Sequence, residues 1–296
     1  MTKSRRISHM IFGLTGLCLF VGLYAAPGPS QAQGSKEVVR SVALRSGGRV
    51  SIETFKGSVT VSAWDKSEVE IRAIVEPDGR SRIREEAVEY TEILIDDSPG
   101  SVFIESDYGG VQRNLGGDDG WGDGNSVTLP FVHYTIRIPK DARLNIDDHK
   151  SEISIDGLAS EVRINSHKGP MVIKNVSGEL RLETHKSRVR ISALSGALEL
   201  DTHEAEVEIE YAKYSGRTRI ETHKGDITLT MPKGSAFELD ADVGNKGDLR
   251  ADFDLRDLEH RFGRRDEDVE YRGAVNGGGP LLRLRTYKGY IRIRER

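Results

Sequence analysis

Five histidines recur at one place in a repeated segment: His149, His167, His185, His203 and His223, at steps of 18, 18, 18 and 20 residues. In three copies a carboxylate stands two residues earlier, as Glu183-Thr184-His185, Asp201-Thr202-His203 and Glu221-Thr222-His223. Asp147 and His149 repeat the pattern, and Asn165 and His167 keep it without the charge. In an extended strand, residues two apart share a face. Imidazole and carboxylate both ligate divalent metals, so two neighbouring copies offer Glu183, His185, Asp201 and His203 as a set for Zn²⁺ or a similar ion. Without a cofactor, the five histidines remain a candidate binding ridge, and the competing expectation is a solvated turn position copied along with the repeat. Duplication copies side chains along with the repeat, and parallel side chains do not by themselves converge on one ion.

Other chemistries find less support. Residues 116–125 are rich in Gly, Asp and Asn and hold Trp121, which suggests oxygen ligands for Ca²⁺ or a ring for a sugar, but the spacing matches no standard calcium loop. A surface loop is the simpler expectation. There is no Gly-x-Ser-x-Gly elbow, phosphate loop or His-Glu-x-x-His motif. Asp and Arg are plentiful, but mostly in alternating columns that neutralise one another. The chain therefore reads as non-enzymatic, the alternative being a polysaccharide-active enzyme that uses clustered Asp with Arg or Lys. The stretch 261–268 reads as a solvated charged loop, and His133 and His260 receive no role.

The elements that carry the ridge follow from alternation. Leu180, Leu182 and Thr184 point one way, and Arg181, Glu183 and His185 the other; past a bend, Val189 and Ile191 point in while Arg188 and Arg190 point out. Each coil of 18–20 residues thus holds two short strands. Gly57, Gly169, Gly225 and Gly289 mark the first bend, where positive φ is cheap for glycine, and Ser-Gly pairs at 177–178, 195–196 and 215–216 mark the second. One coil cannot bury its own apolar face, but stacked coils with parallel strands can. The fold class expected is all-β, with Leu180, Leu182, Val189 and Ile191 stacked on Leu198, Leu200, Val207 and Ile209.

Stacking also explains the charges. It places Arg181 over Glu199, Glu199 over Arg219, Arg188 over Glu206, Arg190 over Glu208, and Glu204 between Lys186 and Lys224. Val50 to Val59 is an outlying copy with Phe55 in the histidine place, Leu282 to Ile291 is another with Tyr287 there, and Phe237 to Leu249 is a degenerate copy. Copies are most regular over 140–250. Residues 76–130 are irregular and read as a cap or side insertion with one short helix carrying Ile83, Ala87 and Val88.

The start of the chain reads as a signal peptide over 1–32, leaving a single domain over 33–296. Lys3, Arg5 and Arg6 precede an apolar run from Ile11 to Ala26, too short for an ordinary span, and small residues follow. Cleavage is placed after Ala32, with Ala26 as the alternative site and an uncleaved anchor as the competing reading. The single cysteine, Cys18, leaves with this segment, so no disulfide or thiolate site remains. The near balance of 43 basic and 47 acidic residues gives no footprint for nucleic acid. An exported protein in the periplasm or at the cell surface is expected, with an envelope component, surface polymer or protein as partner.

At this point the chain resembles the putative-adhesin family, exported bacterial β-strand-repeat proteins that carry a domain of unknown function. The resemblance rests on residues 50–59, on Tyr134-Thr135-Ile136-Arg137-Ile138-Pro139-Lys140, on residues 220–227 and on the Asn276-Gly277-Gly278-Gly279-Pro280 close with residues 282–291. It covers roughly residues 38–296 and implies a right-handed parallel β-solenoid. It transfers no catalytic residues. The histidine column is a departure, because the family more often has Asn or Ser there.

Overall fold

In the computed structural model the alternation runs through every repeat, with apolar residues inward and charged residues outward. The structure describes residues 34–79, 82–116, 128–244, 247–255, 259–262 and 269–296. Residues 1–32 with Cys18, expected as a signal peptide, most of the Gly- and Asp-rich stretch with Trp121, and the charged stretch from 263 to 268 lie outside the described residues; the side chains of 260–262 do too.

At the amino-terminal end β1 (Lys36–Ala43), β2 (Arg49–Trp64) and β3 (Glu68–Glu76) lead to α1 (Arg82–Tyr90). Then come β4 (Glu92–Ser98), β5 (Ser101–Asp107), α2 (Gly109–Leu115) and β6 (Phe131–Pro139). The regular repeats supply β7 (Arg143–Asp156), β8 (Val162–Lys168), β9 (Met171–Lys174), β10 (Leu180–Leu194), β11 (Leu198–Tyr211), β12 (Thr218–Lys224) and β13 (Ile227–Met231). The close is β14 (Phe237–Val243), β15 (Leu249–Ala251), β16 (Glu259–Phe262), β17 (Val269–Val275), β18 (Leu281–Lys288) and β19 (Ile291–Glu295).

Two parallel ladders organise these strands. One runs β7, β8, β10, β11, β12, β18, with Leu144, Val162, Leu180, Leu198, Thr218 and Leu282 in register. The other runs β7, β9, β10, β11, β13, β19, with Ile153, Met171, Val189, Val207, Ile227 and Ile291 in register. Long strands such as β10 and β11 serve both. Every residue named in these two columns is buried. Burying each Leu, Ile or Val contributes about 1.5–3 kcal/mol, against about 0.2–1 kcal/mol for a cross-strand charge pair, so the apolar columns decide the register.

The charge pairs expected from the 18-residue offset form. Arg188–Glu206 closes at 2.7 Å, Arg190–Glu208 at 2.9 Å, Arg219–Glu199 at 2.9 Å and Arg181–Glu199 at 3.8 Å. Glu204 lies 3.6 Å from Lys186 and 3.2 Å from Lys224.

The ends depart from chain order. The last copy, β18 with β19, inserts between β12 and β14, so the degenerate copy at 237–249 takes the rung beyond it. At the other end β2 joins β7, and β5 and β6 then pair with β2 as a further rung. Part of the segment expected to be an irregular cap is therefore rung-like. Pairing is antiparallel in β1–β3–β6, in β4–β5 and in β14–β17–β16, so the parallel arrangement holds for the repeats and not for the ends.

Two local expectations need correction. The helix at 82–90 buries Ala87 and Val88, but Ile83 is exposed. A second helix occupies 109–115, in a segment expected to hold only one short helix. Its Gly109-Gly110 start hides the helical signal, because glycine is a poor helix former. The Asp107 carboxylate accepts a 2.7 Å hydrogen bond from the Gly109 N–H, and Val111 packs on Ala87.

At the first bend Gly169 and Gly225 both have φ of 138°, and a Cβ on either would collide with the carbonyl oxygen of the adjoining rung, Ser151 or Ala205. Gly289 differs: its φ is not positive, and close approach to the Gly225 carbonyl is what excludes a side chain there.

Candidate functional site

The corner between the two ladders brings the histidines together. Each strand of the first ladder ends with an inward Thr, Ser or Asp, then an outward ring, then an outward residue that is Lys in six of the seven rungs, the exception being Glu204. Main-chain pairing fixes neighbouring rungs about 4.7–4.9 Å apart. Flat rings at that spacing stack.

His149, His167, His185, His203 and His223 stack in sequence, with centroids 4.9–5.0 Å apart and planes 2–22° from parallel. Phe55 extends the column at 4.7 Å from His149, and Tyr287 extends it at 5.1 Å from His223. Tyr108 meets Phe55 edge-on at 6.3 Å and closes that end. Both outlying copies thus occupy the ring positions expected of them.

Two charged columns flank the rings. On one side Glu53, Asp147, Asn165, Glu183, Asp201 and Glu221 follow in register, ending at Arg285. Glu183 and Asp201 make no ion pair or hydrogen bond among the described residues, while Glu221 is held by Arg219 at 2.8 Å and Arg285 at 3.5 Å. On the other side stand Lys56, Lys150, Lys168, Lys186, Glu204, Lys224 and Lys288. Lys56 is buried against Asp78 at 2.8 Å, and Lys150 and Lys168 have no acidic partner among the described residues. The Lys224 hydrogen bond, with the charge of Lys186, holds the Glu204 carboxyl below the usual range.

Beneath the rings runs an inward polar column of Thr54, Asp148, Ser166, Thr184, Thr202, Thr222 and Thr286. Asp148 Oδ2 accepts from the Ser166 hydroxyl at 2.7 Å and from the Ser151 N–H at 2.9 Å. Asp148 Oδ1, Ser151 Oγ, Thr184 Oγ1 and Thr202 Oγ1 are buried without a partner. This column was not picked out in the sequence, although a Thr, Ser or Asp precedes the ring in every copy.

Shallow grooves line both sides of the ring column. The acidic side has one section of about 650 Å³ along His149 to His203 and another of about 420 Å³ along His203 to Tyr287; they share Asp201 and His203. The second section also carries Glu221, Asp242 and Arg285. The lysine side has a groove of about 440 Å³ with Lys168, Lys186, Arg188 and Lys224 facing Glu204 and Glu206.

The four residues considered for zinc do not converge. The His185 and His203 planes lie 2° from parallel, so an ion in the plane of one ring, where its nitrogens coordinate, lies out of the plane of the next. Among the described residues no group of three or more His, Cys, Asp or Glu side chains is disposed to hold a metal ion. His133 lies away from the column, bonded to Ser58 at 2.9 Å. No helix among the described residues is long and apolar enough to cross a membrane.

Solved structures that resemble the chain include a putative cell adhesion protein from Clostridium sporogenes ATCC 15579, at 13% identity, 88% coverage of this chain and 100% of that one, with a TM-score of 0.32. A putative adhesin from Bacteroides fragilis NCTC 9343 matches at 12% identity, 88% and 97% coverage and a TM-score of 0.40. A putative adhesin from Parabacteroides merdae ATCC 43184 matches at 13% identity, 88% and 96% coverage and a TM-score of 0.27. TM-scores of this size do not establish a shared fold. No curated protein matches the sequence. Residues 140–274, which span β7 to β16 and most of β17, are similar to the family described as Toastrack DUF4097.

Proposed function

We propose that the chain is a right-handed parallel β-solenoid of 18–20-residue coils, exported to the bacterial envelope or surface, where it binds a partner without catalysis. The observation that carries this is the uninterrupted seven-ring corner from Phe55 to Tyr287 with open grooves on both sides. Catalysis asks for a few groups converging on one reacting bond. Equivalent groups repeated over seven rungs suit a partner that is itself extended. The Toastrack match and the adhesin resemblance point the same way, and the basic, apolar, small-residue order of residues 1–32 supports export. Incubating the exported protein with native envelope fractions tests the proposal. Retention of the wild type, and loss of retention on Lys150→Glu with Lys168→Glu, is the expected result.

One observation favours a second reading, an enzyme acting on polysaccharide. The groove section of about 420 Å³ gathers Asp201, Glu221 and Asp242 beside Arg285. Two carboxyl groups flanking the scissile bond, one as acid and the other as base or nucleophile, are what glycosidic chemistry uses. Release of reducing ends from an anionic polysaccharide, abolished by Asp201→Asn, would establish this reading in place of the first.

A further inference from the structure

On the flat faces of the ladders Arg163, Arg181, Arg190 and Arg219 each have a carboxylate within ion-pair reach. Like charges are in register there too, Arg163 with Arg181 and Arg219 with Arg283, but at the corner Lys150, Lys168, Glu183 and Asp201 have no ion-pair partner among the described residues. Lys56 is in register with Lys150, Lys168 with Lys186, and Lys224 with Lys288. Glu53 is in register with Asp147, and Asp201 stands between Glu183 and Glu221. Like charges directly opposite one another oppose strand pairing. A sequence that pairs its charges elsewhere gives up stability here, which is where a functional surface is expected.

We propose that this corner is a proton-gated docking face for a linear anionic polysaccharide, which lies along the ring column with its charges toward the lysines. The inference rests on the binding reading above and adds the partner class and its control. Over the five histidine rungs the flanking columns hold five carboxylates (Asp147, Glu183, Asp201, Glu221, Glu204) and four ammonium groups (Lys150, Lys168, Lys186, Lys224), one net negative charge with neutral rings. Five protons turn the strip four charges positive. Histidine is the side chain that gains its charge between about pH 8 and 5.

The neighbours on each element fit the gate. Glu53 and Lys56 face the column from β2, where Lys56 is already bound to Asp78. Arg285, Tyr287 and Lys288 face it from β18, and Asp242 from β14 across the acidic groove. Asp148 lies buried below, engaged by Ser151 and Ser166, and Tyr108 closes the Phe55 end. With neutral rings the carboxylate column repels a polyanion. With charged rings it is compensated within each rung, and the lysine column is left in excess. Stacked imidazolium ions repel one another, so anion binding and proton uptake promote each other.

The ring stack also selects the polymer. Single-stranded nucleic acid binds by laying bases on aromatic faces, and along this column the faces between Phe55 and Tyr287 are taken by neighbouring rings, which leaves edges. An extended peptide repeats its same-face side chains every two residues, about 6.6–6.8 Å, out of step with rings 4.9–5.0 Å apart. A sugar chain advances by about one rung per residue and turns successive carboxylates to different sides, so a carboxylate returns to the column after a whole number of rungs. Imidazolium has two N–H donors for its carboxylates and hydroxyls.

Calorimetry of the exported protein with oligogalacturonate, at about pH 5.5 and 7.5 and constant ionic strength, tests the proposal. Expected are binding at least about tenfold tighter at the lower pH, as several surface charge contacts would add, and net proton uptake seen by varying the buffer. Replacing all five histidines by Asn, checked for an unchanged melting profile, should abolish both effects; Lys150→Ala with Lys168→Ala should weaken binding at both pH values. Equal affinity at the two pH values, or gating that survives in the Asn variant, overturns the proposal. So does a preference for a single-stranded oligonucleotide over the sugar. If neither polymer binds but envelope fractions do, the proposal fails and the binding reading stands; if envelope fractions are not bound either, both fail.

Discussion

His185 and His203, eighteen residues apart in the chain, stack with centroids 4.9 Å apart and planes 2° from parallel. Nothing in the rings alone imposes this. Main-chain pairing sets Glu183 opposite Asp201 and Lys186 opposite Glu204 on either side, and the apolar columns behind them fix the register. The ring column is a consequence of the core, so the core comes first among the predictions.

Leu182 is buried between Ile164 and Leu200 in the first ladder. Leu182→Asp puts an unpaired carboxylate there and should cost about 3–5 kcal/mol, the range of severe core lesions. Chemical denaturation measures it; a midpoint equal to that of the wild type would contradict the assignment.

Gly225 and Gly234 both have positive φ, but only at Gly225 would a Cβ meet a backbone oxygen, that of Ala205. Around Gly234 nothing lies within 4 Å. Gly234→Ala should therefore cost about 1–2 kcal/mol, the ordinary left-handed penalty, and Gly225→Ala clearly more. Thermal melts of the two variants side by side test the close approach of the rungs.

Glu204, between Lys186 and Lys224, and Glu161, bonded first of all to Arg163, have carboxyls held below their ordinary range. A carboxyl lowered in the folded state stabilises above its unfolded value, near pH 4, and that contribution is lost as pH falls through the folded value. Glu204→Gln should lower the melting temperature slightly at pH 7, and the two curves should converge in acid. A constant difference down to about pH 3 would contradict the ion-pair account.

Export predicts that protein recovered from the native envelope begins near Gln33. Amino-terminal sequencing decides this, and an intact Met1 terminus on protein from the cytoplasm would defeat it.

Period and alternation made the centre of the molecule legible. Leu180, Leu182, Val189 and Ile191 are buried and registered on Leu198, Leu200, Val207 and Ile209, and Arg188 and Arg190 meet the expected carboxylates. A repeat copies its neighbours along with itself, so one offset predicts many contacts. The ends were less legible because their partners are not sequence neighbours. That Leu282 pairs with Thr218 on one side and Leu239 on the other depends on how the chain returns, which period does not encode. The helix at 109–115 was hidden by its two glycines. The ring column was visible as a row of histidines, but stacking, rather than convergence on a metal, depends on ring orientation.

The central claim is that the ring corner, and not the flat ladders, is the binding face. Retention on native envelope fractions should be compared for the wild type, a corner variant with Lys150→Glu and Lys168→Glu, and a flat-face variant with Arg190→Glu and Glu208→Arg, which keeps that charge pair in reverse. The account predicts that retention falls at least about tenfold in the corner variant, as for loss of several charge contacts, and is unchanged in the flat-face variant. Equal retention of the corner variant and the wild type, or loss in the flat-face variant alone, would contradict it.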